Sequence, residues 1–418
     1  MLTMPKASFP RTLPLLLLGL AASVFSAPPP AWQGLWEGQV AGQRVVVALA
    51  PDESGRPTGR YFYERFGRDL TLWGTTPDTQ KSEARLLLAE CPPDYSDADR
   101  PCDAPSATWT LATPATASKG SGKSTSAVSL IGQWQMTGQP GRRAPSAQPI
   151  TLTRLGDYQA NAEAFGDRYE RLRMRGSHTE TLKGGSLGPV QWQWLRDART
   201  KLNTPQLTQG ATREALARIN AEFQKQWRER VSSALTAVDY EDNIDVVFGN
   251  ARWLATNDTV GYYYAGAAHP SSSFEATTYD LQTGQKVDFS RVFRISEPRN
   301  ANLDLTRKDL LAAQVLKAMT MDVAGQPIAG KRPDGLEGDS DSCLAMVLEH
   351  YGCKGGRCAS EQLRGGNTPS SWHIWPTAAG LAVSPDVYSE AARPCRGERV
   401  VLPWAQARAA LIRPQALP

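Results

Sequence analysis

Short runs of alternating apolar and polar residues recur through residues 31–155, each followed by a turn-forming segment. A period of two is typical of a half-buried β-strand, because successive side chains point to opposite faces. About eight such runs follow one another, beginning near Trp32, Val45, Gly59, Leu70, Leu86, Ala107, Leu130 and Ile150. Many short strands at regular spacing predict an all-β domain, either a small barrel or a sandwich.

The rest of the chain has a different periodicity. Because 418 residues are too many for one ordinary core, we expect two domains. Residues 212–238 carry apolar side chains at every third or fourth position, which predicts a helix. With strands expected after this helix, residues 185–415 are predicted to be an α+β domain with an antiparallel sheet and packed helices. The charged, glycine-rich residues 156–184 are predicted to be a linker or an edge strand.

The stretch from Val260 to Phe293 combines two strand-forming runs with a corner of small residues. Tyr262 to Tyr264 lead into Ala265 to Ala268, and His269 ends the corner before the second run begins. Small residues at a corner allow another backbone or a ligand to approach closely. The pattern therefore predicts a hairpin whose corner carries a single histidine.

This stretch resembles the extracellular domain of the lysozyme-sensing anti-sigma factors, a domain similar to ones in some peptidoglycan deacetylases and many uncharacterised exported proteins. The likeness rests on the tyrosine strand, on Gly266 to His269, on Tyr279 to Gly284 and on Val400 to Trp404 before a closing helix. It covers about residues 185–415, and Ala267 replaces the second glycine of the usual Gly-Gly-Ala-His corner. The resemblance implies a muramidase or cell-wall glycan as partner, although a fold does not by itself fix a function.

Residues 1–27 have the pattern of a secretory signal peptide. Lys6 and Arg11 precede an apolar run from Leu13 to Phe25, and Ser26 and Ala27 supply a small-residue cleavage zone. The run is short for a membrane span, so we expect a periplasmic or secreted protein without a transmembrane anchor. The anti-sigma factors carry an anchor and a cytoplasmic segment, so the resemblance does not extend to this part of the chain.

The net charge and the absence of certain sequence motifs argue against several classes of partner and activity. The formal net charge of +4 falls to +2 once Lys6 and Arg11 are removed with the leader. A near-neutral chain argues against nucleic acid as a partner. The sequence contains no complete phosphate loop, no H-E-x-x-H and no G-x-S-x-G motif, so we expect no cofactor, no bound metal and no enzymatic activity. It does not define an oligomeric state.

Six cysteines in an exported chain indicate disulfide bonds. Cys91 and Cys102 flank a short loop and are predicted to pair. Cys343, Cys353, Cys358 and Cys395 allow three pairings, and the sequence does not choose among them. The isolated spacing of Cys353 and Cys358 is too wide for a typical zinc site.

Three groups of residues are candidate binding residues. The first is the corner of the hairpin, with Tyr264, Gly266 and His269. A histidine there can be a general base, a metal ligand or a structural residue that fixes the corner. The structural role is favoured, because no nucleophile or second acid–base group lies nearby in the sequence.

The other two groups are an acidic loop and a tryptophan pair. The glycine-rich loop carries Asp334, Glu337, Asp339 and Asp341, whose spacing does not match a calcium-binding EF-hand. A solvated acidic loop can face a cationic partner, and the resemblance implies a strongly basic lysozyme. Trp372 and Trp375 either stack on a sugar or belong to the core.

The main hypothesis is therefore an exported, non-catalytic binding protein of the cell envelope that recognises a muramidase or peptidoglycan. One alternative is a hydrolase of envelope polymers that uses His269 as its acid–base group. Another is a structural protein that docks a partner through the all-β domain.

Overall fold

The structure is a computed structural model that describes residues 30–74, 85–92, 102–112, 128–138, 145–158, 168–264, 267–297, 302–323, 347, 349–359, 361–363, 372–385 and 400–413. The predicted signal peptide, residues 1–27, lies outside the described residues. So do seven of the residues singled out above: Gly266, Asp334, Glu337, Asp339, Asp341, Cys343 and Cys395.

The first eight strands form a closed antiparallel barrel in which each strand pairs with the next and the first pairs with the last. They are β1 (Gly34–Val40), β2 (Gln43–Pro51), β3 (Pro57–Tyr63), β4 (Asp69–Gly74), β5 (Arg85–Glu90), β6 (Ala107–Ala112), β7 (Ser129–Met136) and β8 (Gln148–Gly156). This confirms the predicted all-β region. Of the two predicted architectures, it is the barrel that forms, and closure leaves no unpaired strand edge.

The interior of the barrel is filled by side chains from alternate strand positions. Trp36, Tyr61 and Trp109 are fully buried there among leucine, isoleucine and valine side chains. Gly38 is required by the close approach of β8, because a Cβ atom at this position would lie 1.9 Å from the carbonyl oxygen of Thr151. The barrel is thus a packed core rather than a channel.

A helix and two three-stranded sheets follow the barrel. The elements are α1 (Arg168–Arg175), β9 (Thr179–Leu187), β10 (Val190–Asp197), β11 (Asn203–Gln209), α2 (Arg213–Thr236), β12 (Asp239–Gly249), β13 (Trp253–Tyr263) and β14 (Ser271–Asp280). Helix α2 matches the helix predicted over residues 212–238. It begins after Thr212, whose hydroxyl accepts a hydrogen bond from the backbone N–H of Ala215 at 3.2 Å.

Helix α2 buries one face against both sheets. Ile219 and Phe223 pack with Val190 and Leu207 from the β9–β11 sheet and with residues of β13 and β14. Further along, Trp227 donates a hydrogen bond from its indole Nε1 to the backbone oxygen of Leu202 at 3.1 Å. The helix therefore fixes one face of the β12–β14 sheet.

The C-terminal part covers the opposite face of the β12–β14 sheet. Its elements are β15 (Asn302–Asp304), α3 (Leu311–Val323), β16 (Cys353–Lys354), β17 (Arg357–Ala359), β18 (Trp372–Pro376), β19 (Gly380–Pro385), β20 (Val400–Pro403) and α4 (Trp404–Ala407). The rings of Phe274 on β14 and Trp375 on β18 lie 5.4 Å apart between the two sheets. The described residues are thus mostly β, with small antiparallel sheets and four helices beside the barrel.

The predicted split into two domains at residues 156–184 is not confirmed. Residues 168–175 form helix α1, and Arg173 on it is 1% exposed rather than solvated. Its guanidinium contacts Glu170 on the same helix and Asp69 on the barrel, 3.3 Å from Nη1. Ser232 on α2 donates a hydrogen bond to Glu170 at 3.0 Å. Buried charges therefore connect the barrel, α1 and α2.

Two disulfide bonds are present among the described residues. The predicted pair Cys91–Cys102 is confirmed, with an S–S distance of 2.13 Å. Cys353 and Cys358 lie opposite each other on β16 and β17 and are bonded at 2.03 Å. These bonds are compatible with an extracellular protein. No helix within the described ranges is long and apolar enough to cross a membrane.

Candidate functional site

The end of the β12–β14 sheet presents a group of tyrosines next to an exposed corner. The strand register places Tyr240 on β12 opposite Tyr262 on β13, and the rings of Tyr262 and Tyr264 lie 5.4 Å apart. All three tyrosines are half-buried, whereas residues 267–270 of the corner are exposed. The predicted hairpin therefore forms, and its aromatic end is accessible to a partner.

His269 lies in this exposed corner. Its ring Nδ1 is 3.0 Å from the backbone oxygen of the adjacent Pro270. An acid–base role needs a second group within hydrogen-bond reach of the ring or of the substrate. The contacts of the described residues supply no such group.

A cluster of charged side chains lies below the tyrosines, between the sheet and α2. Arg230 on α2 reaches both Asp242 on β12 and Asp258 on β13. Its Nε is 3.1 Å from the Asp242 Oδ2, and its Nη1 contacts the Asp258 Oδ2. Asp258 is opposite Ile244, two residues from Asp242, so the two carboxyl groups are diagonal neighbours on one face of the sheet.

Burial determines the protonation of this cluster. The Asp242 side chain is only 1% exposed. Burial raises the pKa of Asp242, Arg230 lowers it, and both the negative charge of Asp258 and a hydrogen bond with it raise it, to about 8 overall. Burial and the neighbouring Asp258 thus favour the protonated form of Asp242. Burial and the neighbouring Asp242 also raise the pKa of Tyr240.

Several polar atoms of the cluster have no hydrogen-bond partner among the described residues. Nε and Nη2 of Arg230, both carboxyl oxygens of Asp242 and Oδ1 of Asp258 make no well-aligned hydrogen bond to these residues, although Arg230 Nε and Asp242 Oδ2 form an ion pair at 3.1 Å. Buried polar groups are normally paired, because leaving one unpaired costs about 1–3 kcal/mol. Unpaired atoms beside a carboxyl group with a shifted pKa are typical of functional sites.

The cluster opens to solvent at the edge of the sheet. Glu275 on β14 is opposite Asp258 and is exposed, and the Asp258 side chain is 21% exposed. Glu275 also lines a groove of about 260 Å³ between β14 and β18, together with Lys286, Asp288 and His373. We call the combined set the hairpin site: Arg230, Tyr240, Asp242, Asp258, Tyr262, Tyr264 and Glu275.

The other predicted binding residues fall in different places. Trp372 is 5% exposed and donates a hydrogen bond to the Tyr351 hydroxyl at 2.5 Å. Trp375 is 1% exposed and packs against Phe274. Their burial favours the core interpretation over a platform for sugar stacking. Of the predicted set, the described residues Tyr264 and His269 remain at an accessible surface.

The sequence did not single out Arg230, Asp242 or Asp258. One local signal points to Arg230, because it lies beside Trp227 and Val231 on the buried face of α2. Acidic residues at inward positions of alternating strands are a second signal, but which positions face inward depends on the strand register.

Comparison with models of known protein families finds no match to this sequence, and comparison with curated proteins finds none either.

Proposed function

We propose that the chain is an exported, non-catalytic binding protein of the cell envelope, and that it recognises a muramidase or peptidoglycan through the hairpin site. The main support is the half-buried tyrosine group, Tyr240, Tyr262 and Tyr264, beside the exposed corner at His269. Tyrosine side chains provide large contact areas and lose little conformational entropy on binding, so they are frequent among residues that dominate binding energy.

The surroundings of the tyrosines fit both partner classes. Aromatic faces stack on sugar rings, while the carboxylates of Asp258 and Glu275 attract a basic protein. The disulfides at Cys91–Cys102 and Cys353–Cys358 suit an exported protein. The resemblance of residues 185–415 to the lysozyme-sensing domain makes a muramidase the first partner to test.

Hydrolysis of an envelope polymer is the second candidate function, and one observation favours it. Two neighbouring carboxyl groups, one of them with a raised pKa as Asp242 has beside Asp258, are an arrangement used for acid–base catalysis. Burial of Asp242 at 1% exposure keeps it away from a polymer, and Arg230 already occupies one oxygen of Asp258. Binding is therefore the better-supported function.

The test is a binding and activity assay with the oxidised mature protein, a panel of basic muramidases and purified peptidoglycan. Replacing both Tyr262 and Tyr264 by alanine should weaken binding by about tenfold or more, since contact residues of this type contribute about 1–2 kcal/mol each. Tyr263→Ala, on the opposite face of β13, is the matched control and should bind as the wild type does.

Each outcome has a defined meaning. Muramidase binding with loss of muramidase activity supports an inhibitor, and sedimentation with peptidoglycan supports a wall-binding protein. Failure to bind either contradicts the proposal. Turnover of peptidoglycan that requires His269 or Asp242 supports the hydrolase instead. Binding of another envelope protein by the barrel surface, unaffected by the tyrosine variants, supports the docking alternative.

A further inference from the structure

One turn of the barrel touches the elements that carry the hairpin site. This turn, which we call the barrel turn, consists of residues 64–68 between β3 and β4. Gly67 within it is buried and has a φ of +68°, and a Cβ atom there would lie 2.4 Å from Nη1 of Arg199 and 3.3 Å from Cδ1 of Leu235. Because glycine alone readily combines this backbone conformation with such a close approach, the turn lies tightly against the last turn of α2.

Arg68 connects the barrel turn to the start of β12. Its Nη2 donates hydrogen bonds to the backbone oxygens of Ala237 at 3.0 Å and Val238 at 2.8 Å. Ala237 is the C-cap residue of α2, and a cation is favourable there because the helix dipole leaves partial negative charge at this end. Val238 in turn donates its backbone N–H to the backbone oxygen of Tyr263 at 2.8 Å. A barrel side chain therefore fixes the backbone from which the tyrosine end of the sheet extends.

The barrel turn also holds an aromatic side chain in solvent. Phe66 is 57% exposed and is the one aromatic residue among the exposed large apolar side chains of the described ranges. The guanidinium of Arg65 lies 5.3 Å from the centre of its ring. Tyr240 of the hairpin site packs in one cluster with Leu235, which is the α2 residue beside Gly67. These contacts place Phe66 at the same end of the molecule as the tyrosines.

We propose that the barrel turn is the second half of the partner-binding surface, in which Phe66 contacts a protein partner beside the tyrosines of the hairpin site and Arg68 positions the tyrosine end for binding. This inference rests on the proposed function, because it takes the partner to be a protein such as a muramidase. A protein is favoured because phenylalanine, tyrosine and arginine are enriched at protein–protein interfaces relative to the rest of the surface. The barrel then preorganises the hairpin site, so that less order has to be created on binding.

The binding test measures the affinity of the oxidised mature protein for a basic animal lysozyme by surface plasmon resonance. Phe66→Ala should weaken binding by about tenfold, as expected for an aromatic contact residue. Ile131→Ala is the matched control, because Ile131 is 61% exposed on β7, which pairs with neither β3 nor β4, and this variant should bind as the wild type does. Arg68→Ala should weaken binding by about fivefold, and Arg68→Lys, which keeps a cationic donor there, should restore most of the affinity.

Hydrogen exchange in the free protein measures the positioning role without any partner. Arg68→Ala should speed exchange of the Val238 amide by about fivefold, and Arg68→Lys should restore its protection. Unchanged exchange at Val238 in Arg68→Ala overturns the positioning role whatever the partner is. Circular dichroism spectra of the variants establish that a lost affinity is not a loss of folding.

The binding outcomes separate this inference from the proposed function. Lysozyme binding that requires Tyr262 and Tyr264 but is unchanged in Phe66→Ala overturns this inference and leaves the proposed function intact. Binding to peptidoglycan alone has the same meaning, because the inference takes the partner to be a protein. Failure to bind both lysozyme and peptidoglycan overturns the proposed function and this inference with it.

Discussion

The protein buries two carboxyl groups in opposite ways, Glu90 in the barrel and Asp242 in the hairpin site. Glu90 Oε2 accepts hydrogen bonds from the Tyr61 hydroxyl at 2.7 Å and from the indoles of Trp134 and Trp109 at 2.8 and 3.0 Å. Its Oε1 accepts from the Ser106 hydroxyl at 3.0 Å. Asp242, by contrast, makes no well-aligned hydrogen bond with either oxygen among the described residues, and its Oδ2 is ion-paired with Arg230 at 3.1 Å.

The difference separates a carboxyl group with a complete set of hydrogen-bond donors from one whose burial is balanced mainly by a single cation. Four neutral donors surround Glu90, so its hydrogen-bonding capacity is used within the barrel, and burial together with Glu90 raises the pKa of Tyr61. A fully satisfied polar network stabilises a particular arrangement of the core. In the cluster around Asp242, Arg230 is the one cation among the described residues beside two carboxyl groups, and burial raises the pKa of Asp242.

The largest effect should come from removing the satisfied carboxylate. Glu90→Leu leaves the Tyr61 hydroxyl and the indoles of Trp109 and Trp134 buried without an acceptor. We expect a loss of about 3–5 kcal/mol in the free energy of unfolding, measured by urea denaturation with tryptophan fluorescence. Glu53→Leu, at an exposed turn, should change it by less than about 0.5 kcal/mol. A loss below about 1 kcal/mol for Glu90→Leu contradicts the structural role.

Replacing the Asp242 carboxyl should instead increase the free energy of unfolding. The pKa of Asp242 rises from 3.8 to about 8 in the folded protein, so the unfolded chain loses this proton first as pH rises. The contribution of Asp242 to stability is therefore fully present below about pH 4 and is lost as pH rises through about 8. Asp242→Asn removes this loss and should stabilise the protein.

The expected gain for Asp242→Asn is about 2 kcal/mol or more at pH 8, since each pKa unit corresponds to about 1.4 kcal/mol. It should be near zero at pH 4. Thermal unfolding of both proteins from pH 4 to 9 measures the difference. A constant difference across this range, or a destabilised variant at pH 8, shows that Asp242 is ionised in the free protein.

The smallest change in the free energy of unfolding should come from removing one contact of a third carboxylate, Asp69. It lies between the barrel and α1, 3.3 Å from Arg173 and 3.5 Å from Arg60, and accepts a hydrogen bond from the Tyr169 hydroxyl at 2.7 Å. Tyr169→Phe removes one of these contacts and leaves both arginines in place. We expect a loss of about 1 kcal/mol in urea denaturation.

Tyr262→Phe is the control for that variant, because the Tyr262 hydroxyl makes no hydrogen bond to the described residues, and its stability should be unchanged. If Tyr169→Phe and Tyr262→Phe lower the free energy of unfolding equally, this contradicts a role for Asp69 in joining the barrel to α1.

The barrel was predictable from the sequence because its signals are local. Period-two runs and the turns between them identified all eight strands, and the short loop between Cys91 and Cys102 identified their bond. Helix α1 was not predicted, because the alternation of Arg171, Arg173 and Arg175 is typical of a strand. Its helical face is defined by partners far along the chain, such as Asp69 and Ser232.

The hairpin site was predicted only in part, for a related reason. The tyrosine strand and the corner at His269 can be recognised from adjacent residues in the sequence. Whether Asp242 and Asp258 face Arg230 depends on how β12 and β13 pair, and a slip of one residue reverses the faces. The protonation of Asp242 depends further on burial by α2, which a linear sequence does not specify.

The most direct test of the contrast between the two buried carboxyl groups is the pKa of the Asp242 carboxyl, measured by carbon-detected NMR. We predict a value raised far above 3.8, to about 8, because burial and the neighbouring Asp258 disfavour its ionised form. A value near 3.8 contradicts the claim that Asp242 is buried in its protonated form.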